Sequence, residues 1–239
     1  MSVFFISDLH LNEQSTDSYN LFTKFFNNIP SSTQAVYILG DLFEIWVDDR
    51  VSNKFLDNVK DILKQAAKKF PVYFIKGNRD FLIGEYFATQ TNIKILPDIY
   101  KLKLYNHDVL LVHGDSLCSL DKKHIYFTNI IRHPITIGLA NILPVKLKLN
   151  LANKLRSISK YKHKKNNSNV QDLNIYDVCP NTVDRIMRQH SANILIHGHT
   201  HKPNIHNDHN FTRIVLGDWH DSAQILVFNP DGYQLIKIF

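Results

Sequence analysis

Residues 3–10 read Val3-Phe4-Phe5-Ile6-Ser7-Asp8-Leu9-His10: four apolar residues of strand type, then a cluster holding a carboxylate and an imidazole. The phrase recurs. Ala35–Leu39 runs into Gly40-Asp41-Leu42-Phe43-Glu44, and Val72–Ile75 into Gly77-Asn78-Arg79-Asp80. Val109–Val112 runs into His113-Gly114-Asp115, and Ile194–Ile196 into His197-Gly198-His199-Thr200-His201. A sixth run, Ile214–Leu216, precedes Gly217-Asp218-Trp219-His220. β-branched and aromatic residues at this length read as buried strands.

Helical patterns lie between the first three runs. Leu21, Phe22, Phe25, Phe26 and Ile29 share one helical face, as do Phe55, Leu56, Val59, Ile62, Leu63 and Ala66 before the stop at Pro71. Strand–helix–strand–helix–strand order argues for parallel pairing. Later segments read as hairpins. Leu102–Tyr105 and Val109–Val112 flank Asn106-His107-Asp108, and Ile225–Phe228 and Leu235–Ile238 flank Asn229-Pro230-Asp231-Gly232. A helix after Pro180, with Val183, Ile186 and Met187 inward, feeds the run at Ile194. The expected fold is α/β with mixed sheets. In such sheets ligands bind beyond the carboxyl ends of the strands, where these polar clusters fall.

The chain of 239 residues is 44% hydrophobic and 21% charged, which excludes disorder and suits one globular domain, 1–239. Two cysteines, Cys118 and Cys179, exclude a disulfide framework and a cysteine-rich zinc module. The first residues lack a signal-peptide pattern, and no apolar run is long enough to cross a bilayer, so a cytoplasmic location is expected. Charge is uneven. Residues 122–171 hold eleven Lys and Arg and no acidic residue, so the remainder carries 17 basic against 22 acidic. A segment of this kind fits an anionic partner or an anionic membrane surface. Within it Ile and Leu alternate with the cations, and Pro134 and Pro144 cut it into two or three short amphipathic helices. An exposed loop follows at Lys160–Asn167.

Each polar cluster is weak evidence alone, since Asp-x-His is frequent by chance and a lone Gly-Asp is usually a turn. Five clusters at the ends of five apolar runs are not a chance pattern. They offer Asp, Asn and His, the ligands of divalent cations. Asp-x-His, Gly-Asp, Gly-Asn-x-Asp, His-Gly-Asp and Gly-His-x-His in this order resemble the calcineurin-like metallophosphoesterase superfamily. SDLHLNE, YILGDLFEIWVDD, YFIKGNRDFLIG, LLVHGDSLC, LIHGHTHKP and VLGDWH resemble most the blocks of its UDP-2,3-diacylglucosamine hydrolase family, a pyrophosphatase family of lipid A synthesis. The likeness runs from about residue 3 to the end of the chain and is weakest between 145 and 175.

The resemblance implies an α/β/β/α sandwich of two mixed sheets with a helical lid insertion at 122–171. It implies two divalent ions, with Asp41 bridging. One would be held by Asp8, His10, Asp41 and His199, the other by Asp41, Asn78, His113 and His197. Spacing alone allows His197 and His199, at i and i+2, to face a single ion. The mixed nitrogen and oxygen donors suit Mn2+ best, with zinc, iron and cobalt as alternatives. Glu44, Asp80 and Asp115 are candidates to orient ligand imidazoles. His201 reads as a support or an exposed residue, His220 as structural and Trp46 as packing.

Arg79 stands where many superfamily members have a His that assists the leaving group. An Arg is no acid near neutrality, but it forks onto phosphate oxygens, which favours an anhydride substrate. The resemblance implies a metal-activated water attacking the phosphorus next to uridine and releasing UMP and 2,3-diacylglucosamine 1-phosphate. It assigns Asp41, Asn78, Arg79 and His113 to catalysis. It assigns Asn78, Arg79, His197, Asp121 and Ser159 to substrate contact, with Lys164 or Lys165 replacing lid contacts that are not cleanly present. The insertion would hold two acyl chains and place a monomer peripherally on the cytoplasmic face of the inner membrane. Two other classes compete. A nuclease or nucleotide phosphatase would use the basic segment as a groove, but this segment interleaves aliphatic residues rather than the aromatics that stack on bases, so no nucleic acid is expected. A non-enzymatic scaffold would have lost metal ligands, and here each expected ligand is present.

Overall fold

The computed structural model describes the chain except residues 120–125, 127–129, 152–153, 155–176, 209, 221 and 239. Strand β1 (Ser2–Ile6) is followed by α1 (Thr16–Asn28), β2 (Thr33–Leu39), α2 (Lys54–Ala67) and β3 (Val72–Ile75). Next come α3 (Glu85–Thr91), β4 (Lys94–Ile95), β5 (Ile99–Leu104), β6 (His107–Val112) and α4 (Pro134–Ile142). The last elements are α5 (Pro180–His190), β7 (Ile194–His197), β8 (Asn204–Asn207), β9 (Thr212–Val215), β10 (Ala223–Asn229) and β11 (Gly232–Ile238).

Two mixed sheets result, ordered β11-β10-β1-β2-β3-β4 and β5-β6-β7-β9-β8. β1, β2 and β3 pair in parallel, as the alternation predicts. The period of two explains why their sequences are apolar throughout. Val3 and Phe5 join Val109, Leu111, Ile194 and Ile196 between the sheets. Phe4 and Ile6 face the other way, onto Phe22 and Phe26 of α1 and among Val59 and Leu63 of α2. Leu110, Val112 and Leu195 cover Val183, Ile186 and Met187 of α5. Both faces of each central strand are therefore buried, and helices close the outer layers.

Local signals set the helix ends. Asn53 caps α2 by accepting from Leu56 N at 2.8 Å. Pro180 stands in the first turn of α5, where no amide partner is lost. The first hairpin differs from expectation. Leu104 pairs with His107, so the turn is Tyr105-Asn106 rather than Asn106–Asp108. Tyr105 takes the left-handed conformation (φ 52°) that a two-residue hairpin turn requires. In the second hairpin Asn229 pairs with Gly232 around Pro230-Asp231.

Of the basic insertion, α4 and a second helical run at 145–151 are described, separated near Pro144. Ile135, Ile142, Leu147 and Leu151 of these helices are at least half exposed. Among the described residues no helix is long and apolar enough to cross a membrane.

Candidate metal centre

The loops beyond β1, β2, β3, β6 and β7 meet at one end of the sheets, laced by their backbones. Asp8 N donates to Gly40 O (3.1 Å), His10 N to Asp41 O (3.0 Å) and Gly198 N to His113 O (2.8 Å). Asp80, fully buried, gathers two loops. Its Oδ1 accepts from Gly77 N (2.8 Å) and Asp41 N (3.3 Å), and its Oδ2 from Leu42 N (2.7 Å) and Phe43 N (3.4 Å). Burial and the neighbouring Asp41 charge push the Asp80 carboxyl up to about 7. The chain bends sharply to bring side chains inward. Asp8, His10, Asp41, His199 and His201 are five of the eight non-glycine residues with positive φ among the described residues. Such strain concentrates where geometry serves function. Gly198 is forced by close approach, since a Cβ there would run into the Asp8 carboxylate and Ser7.

Two groups of donor atoms share the Asp8 carboxylate. Donor atoms of Asp8, His10 and His201 lie within 4.8 Å of one another, as do those of Asp8, Asp41 and His113. Asp41 faces both ways, with Oδ1 3.6 Å from His113 Nε2 and Oδ2 4.0 Å from His10 Nδ1. His113 Nδ1 donates to Leu39 O at 2.8 Å and its Nε2 lies 3.0 Å from Asn78 Oδ1; burial disfavours its charge, but Asp41, Asp8 and Asp115 raise its pKa above the usual imidazole value. His199 Nδ1 lies 3.0 Å from the same oxygen. His201 Nε2 stands 3.2 Å from His10 Nε2 and 3.3 Å from Asp8 Oδ1.

This arrangement fits divalent cations. Asp8 Oδ1 and His10 Nδ1 are buried without a hydrogen-bond partner. Acceptor lone pairs converge rather than alternate with donors, which only a cation or added protons relieve. Burial, abetted by Arg79, depresses His10 to about 3, and burial with nearby His113 depresses His199 to about 3. Both are therefore neutral at pH 7, the form that ligates metal. Burial alone would raise Asp8, but His201, His113 and His10 hold it below the usual carboxylate range.

The structure brings together Asp8, His10, Asp41, Asn78, Arg79, His113 and His199 from the expected set. His197 is fully buried, with Nδ1 2.8 Å from Gly198 O and Nε2 3.3 Å from Arg213 Nη1, and it feels the charges of Asp8 and His113. His201 stands beside Asp8 and His10. Its signal was in the motif itself, because Gly-His-x-His spans Gly198 to His201. Asp218, not singled out in the sequence, lies 3.5 Å from His201 Nδ1 and sets the ring's orientation.

Arg79 Nη1 donates to Glu44 Oε1 (2.9 Å), and Glu44 Oε2 lies 3.3 Å from His10 Nδ1, so Glu44 aligns a cation and an imidazole together. Asp115 pairs with Arg132 at 2.8 Å, a contact the sequence did not reveal. Trp46 is packed between Phe43 and Phe87, and His220 is exposed. Asp121, Ser159, Lys164 and Lys165 lie outside the described residues.

The family model of the calcineurin-like phosphoesterases matches residues 1–203. A UDP-2,3-diacylglucosamine hydrolase of Shewanella piezotolerans is 41% identical over 239 residues, covering 100% of this chain and 98% of its own. The enzyme of that name from Coxiella burnetii is 41% identical over 239 residues, covering 98% and 96%. Among solved structures, Vps29 of Chaetomium thermophilum matches with a TM-score of 0.51 at 10% identity, over 100% of this chain and 97% of its own. That likeness concerns the fold alone.

Proposed function

We propose, since this chain belongs to the calcineurin-like phosphoesterase family and within it to the UDP-2,3-diacylglucosamine hydrolases, that it hydrolyses the diphosphate of UDP-2,3-diacylglucosamine to UMP and 2,3-diacylglucosamine 1-phosphate. The observation that carries the reading is the buried convergence of metal-donor atoms on Asp8, which both groups share, with Asp8 Oδ1 and His10 Nδ1 left without hydrogen-bond partners. Asp8, His10, Asp41 and His199 would hold one divalent ion, and Asp41, Asn78, His113 and His197 the other, with His201 beside Asp8 and His10. Manganese suits the mixed donors. When bound, the pair supplies positive charge against phosphoryl oxygens and acidifies the attacking water.

The chain's own residues do the rest. Arg79, tied to Glu44 and 3.4 Å from Asp41 Oδ2, presents a guanidinium held at the edge of the site for phosphate oxygens. It donates hydrogen bonds without giving up a proton, which suffices because a phosphate monoester leaves without needing to be protonated. His113, its tautomer fixed by Leu39 O, and Asn78 close the opposite side. The insertion at 122–171 serves as a lid whose exposed aliphatic residues receive acyl chains, each buried methylene contributing about 0.8 kcal/mol. Asp121, Ser159 and Lys164 or Lys165 contribute substrate contacts there. The cations of the segment favour an anionic membrane surface, in keeping with a peripheral position on the cytoplasmic face of the inner membrane.

The test is incubation with UDP-2,3-diacylglucosamine and Mn2+, scoring UMP. Release that stops with chelator and in Asp41→Ala is the expected result. An inert substrate alongside rapid cleavage of other phosphodiesters would overturn the assignment.

A further inference from the structure

The helical run at 145–151 is inside out. Leu147, Leu149 and Leu151 are 51%, 36% and 50% exposed, whereas Lys148 between them is only 6% exposed. The Lys148 ammonium stands 2.6 Å from Asp48 Oδ2, with both side chains shut off from solvent. Asp48 also accepts from Arg50, through Nε at 2.8 Å, Nη2 at 2.7 Å and the backbone N at 2.9 Å. Burying an ammonium while leaving leucines in water runs against transfer free energy on both counts. Apolar packing therefore does not set how this run faces; the ion pair does. A buried lysine persists only where its partner is fixed, and Arg50 fixes Asp48.

The partner's place matters. Asp48 lies on the loop that leaves β2 and carries Asp41 and Glu44. A second cation of the insertion does the same elsewhere. Arg132 Nη2 donates to Gly77 O at 3.0 Å and lies 2.8 Å from Asp115 Oδ2, on the loops that bear Asn78 and His113. The described part of the insertion is thus fastened to the metal-ligand loops through charge, with Ile135, Ile142, Leu147, Leu149 and Leu151 turned outward.

We propose that Lys148 is a positioning residue: its ion pair with Asp48 docks the 145–151 run on the Asp41 loop and orients its leucines toward the acyl chains of the substrate. The acyl part rests on the function proposed above. Lys148 touches no reacting atom, so its loss acts on the diacyl substrate and spares a small soluble phosphodiester.

The experiment uses the full-length Mn2+-loaded protein with Lys148→Met, Lys148→Arg, Asp48→Asn and the Lys148→Met/Asp48→Asn double variant. Two readouts run in parallel: amide hydrogen exchange over 145–151, and KM and kcat for UDP-2,3-diacylglucosamine and for bis(p-nitrophenyl) phosphate. In Lys148→Met the exchange of 145–151 accelerates about tenfold or more, and KM for the diacyl substrate rises by a similar factor, because only the docked fraction binds. Bis(p-nitrophenyl) phosphate turnover holds. Lys148→Arg keeps the charge and stays within about threefold of the parent. The double variant is no worse than its poorer single, since one contact is removed twice.

Unchanged exchange and unchanged KM in Lys148→Met overturn the proposal. Equal losses on both substrates with a lowered melting temperature also overturn it, because the pair is then merely structural. A parent protein that cleaves bis(p-nitrophenyl) phosphate but not the UDP-lipid removes the acyl part together with the function it rests on. Exchange, which needs no substrate, then still decides the anchor.

Discussion

Gly198→Ala separates the fold from the site. The added methyl would stand 2.7 Å from Ser7 Cβ and closer still to Ser7 Oγ and Asp8 Oδ2. Ordinary carbon contacts begin near 3.5 Å, so something must retreat by roughly 0.7 Å or more. Asp8 cannot retreat cheaply, because its Oδ2 accepts from Ser7 Oγ at 2.7 Å and from His199 N at 2.9 Å. Overpacking of this size costs about 1–3 kcal/mol. Against a folding stability of about 5–15 kcal/mol the protein remains folded. At about 2–4 °C per kcal/mol for a chain of this length, melting falls by roughly 2–12 °C. A metal site tolerates far less, about 0.2 Å in ligand position. The variant should therefore melt cooperatively, only modestly lower, while Mn2+ affinity falls by about two orders of magnitude and turnover with it. Differential scanning calorimetry and a metal titration on the same preparation check both halves. A variant that binds Mn2+ within threefold of the parent would refute the claim that Gly198 exists to let Asp8 reach the site.

His197→Ala and His199→Ala should each reduce bound Mn2+ from two ions per chain toward one by elemental analysis, whereas His201→Ala, which removes a neighbour of Asp8 and His10 rather than a ligand, should keep both. Arg79→Lys keeps the charge but loses the fork, so kcat/KM on the diphosphate should drop by about 10²-fold with metal content unchanged, measured by UMP release. Hydrogen bonds from Arg50, then from Lys148, hold Asp48 below its usual carboxylate range despite burial. A depressed folded pKa means that the contribution is fully present above about pH 4 and is lost as pH falls through the folded value. Docking of the 145–151 run should weaken in that acid window and not in Asp48→Asn, as read by exchange corrected for the intrinsic pH effect.

Much of this was legible because the central strands are buried on both sides. Val3–Ile6 and Val109–Val112 announce themselves as unbroken apolar runs, and the site loops follow at once. Edge elements give no such signal. β8 reads Asn204-Ile205-His206-Asn207, with one apolar residue in four, and β4 has only two residues. The histidine cluster is ambiguous in sequence for a related reason. Alternation by two places His197 and His199 on one face only while the chain stays extended. β7 ends at His197, and positive φ at His199 (70°) and His201 (54°) redirects the later rings. Pairings between distant residues, such as Arg132 with Asp115 or Lys148 with Asp48, have no local signature.

The same backbone turns raise a question of cost. A strained non-glycine residue costs about 1–3 kcal/mol, so five at one site amount to roughly 5–15 kcal/mol, comparable with the stability of an ordinary domain. Two features make that bearable. The loops are cross-laced, from Asp8 N–Gly40 O to Gly198 N–His113 O, so that the bends at Asp8, His10, Asp41 and His199 also make backbone hydrogen bonds. The sheets beneath are covered on both faces and can carry the load. Asp80 then joins the cost to the chemistry. Four backbone amides are held by a carboxylate that burial disfavours, next to a second carboxylate at Asp41. Two dications beside Asp41 would reverse the sign of that local field. The strain and the buried anions are both unfavourable for a chain alone, and both become favourable together once positive charge arrives.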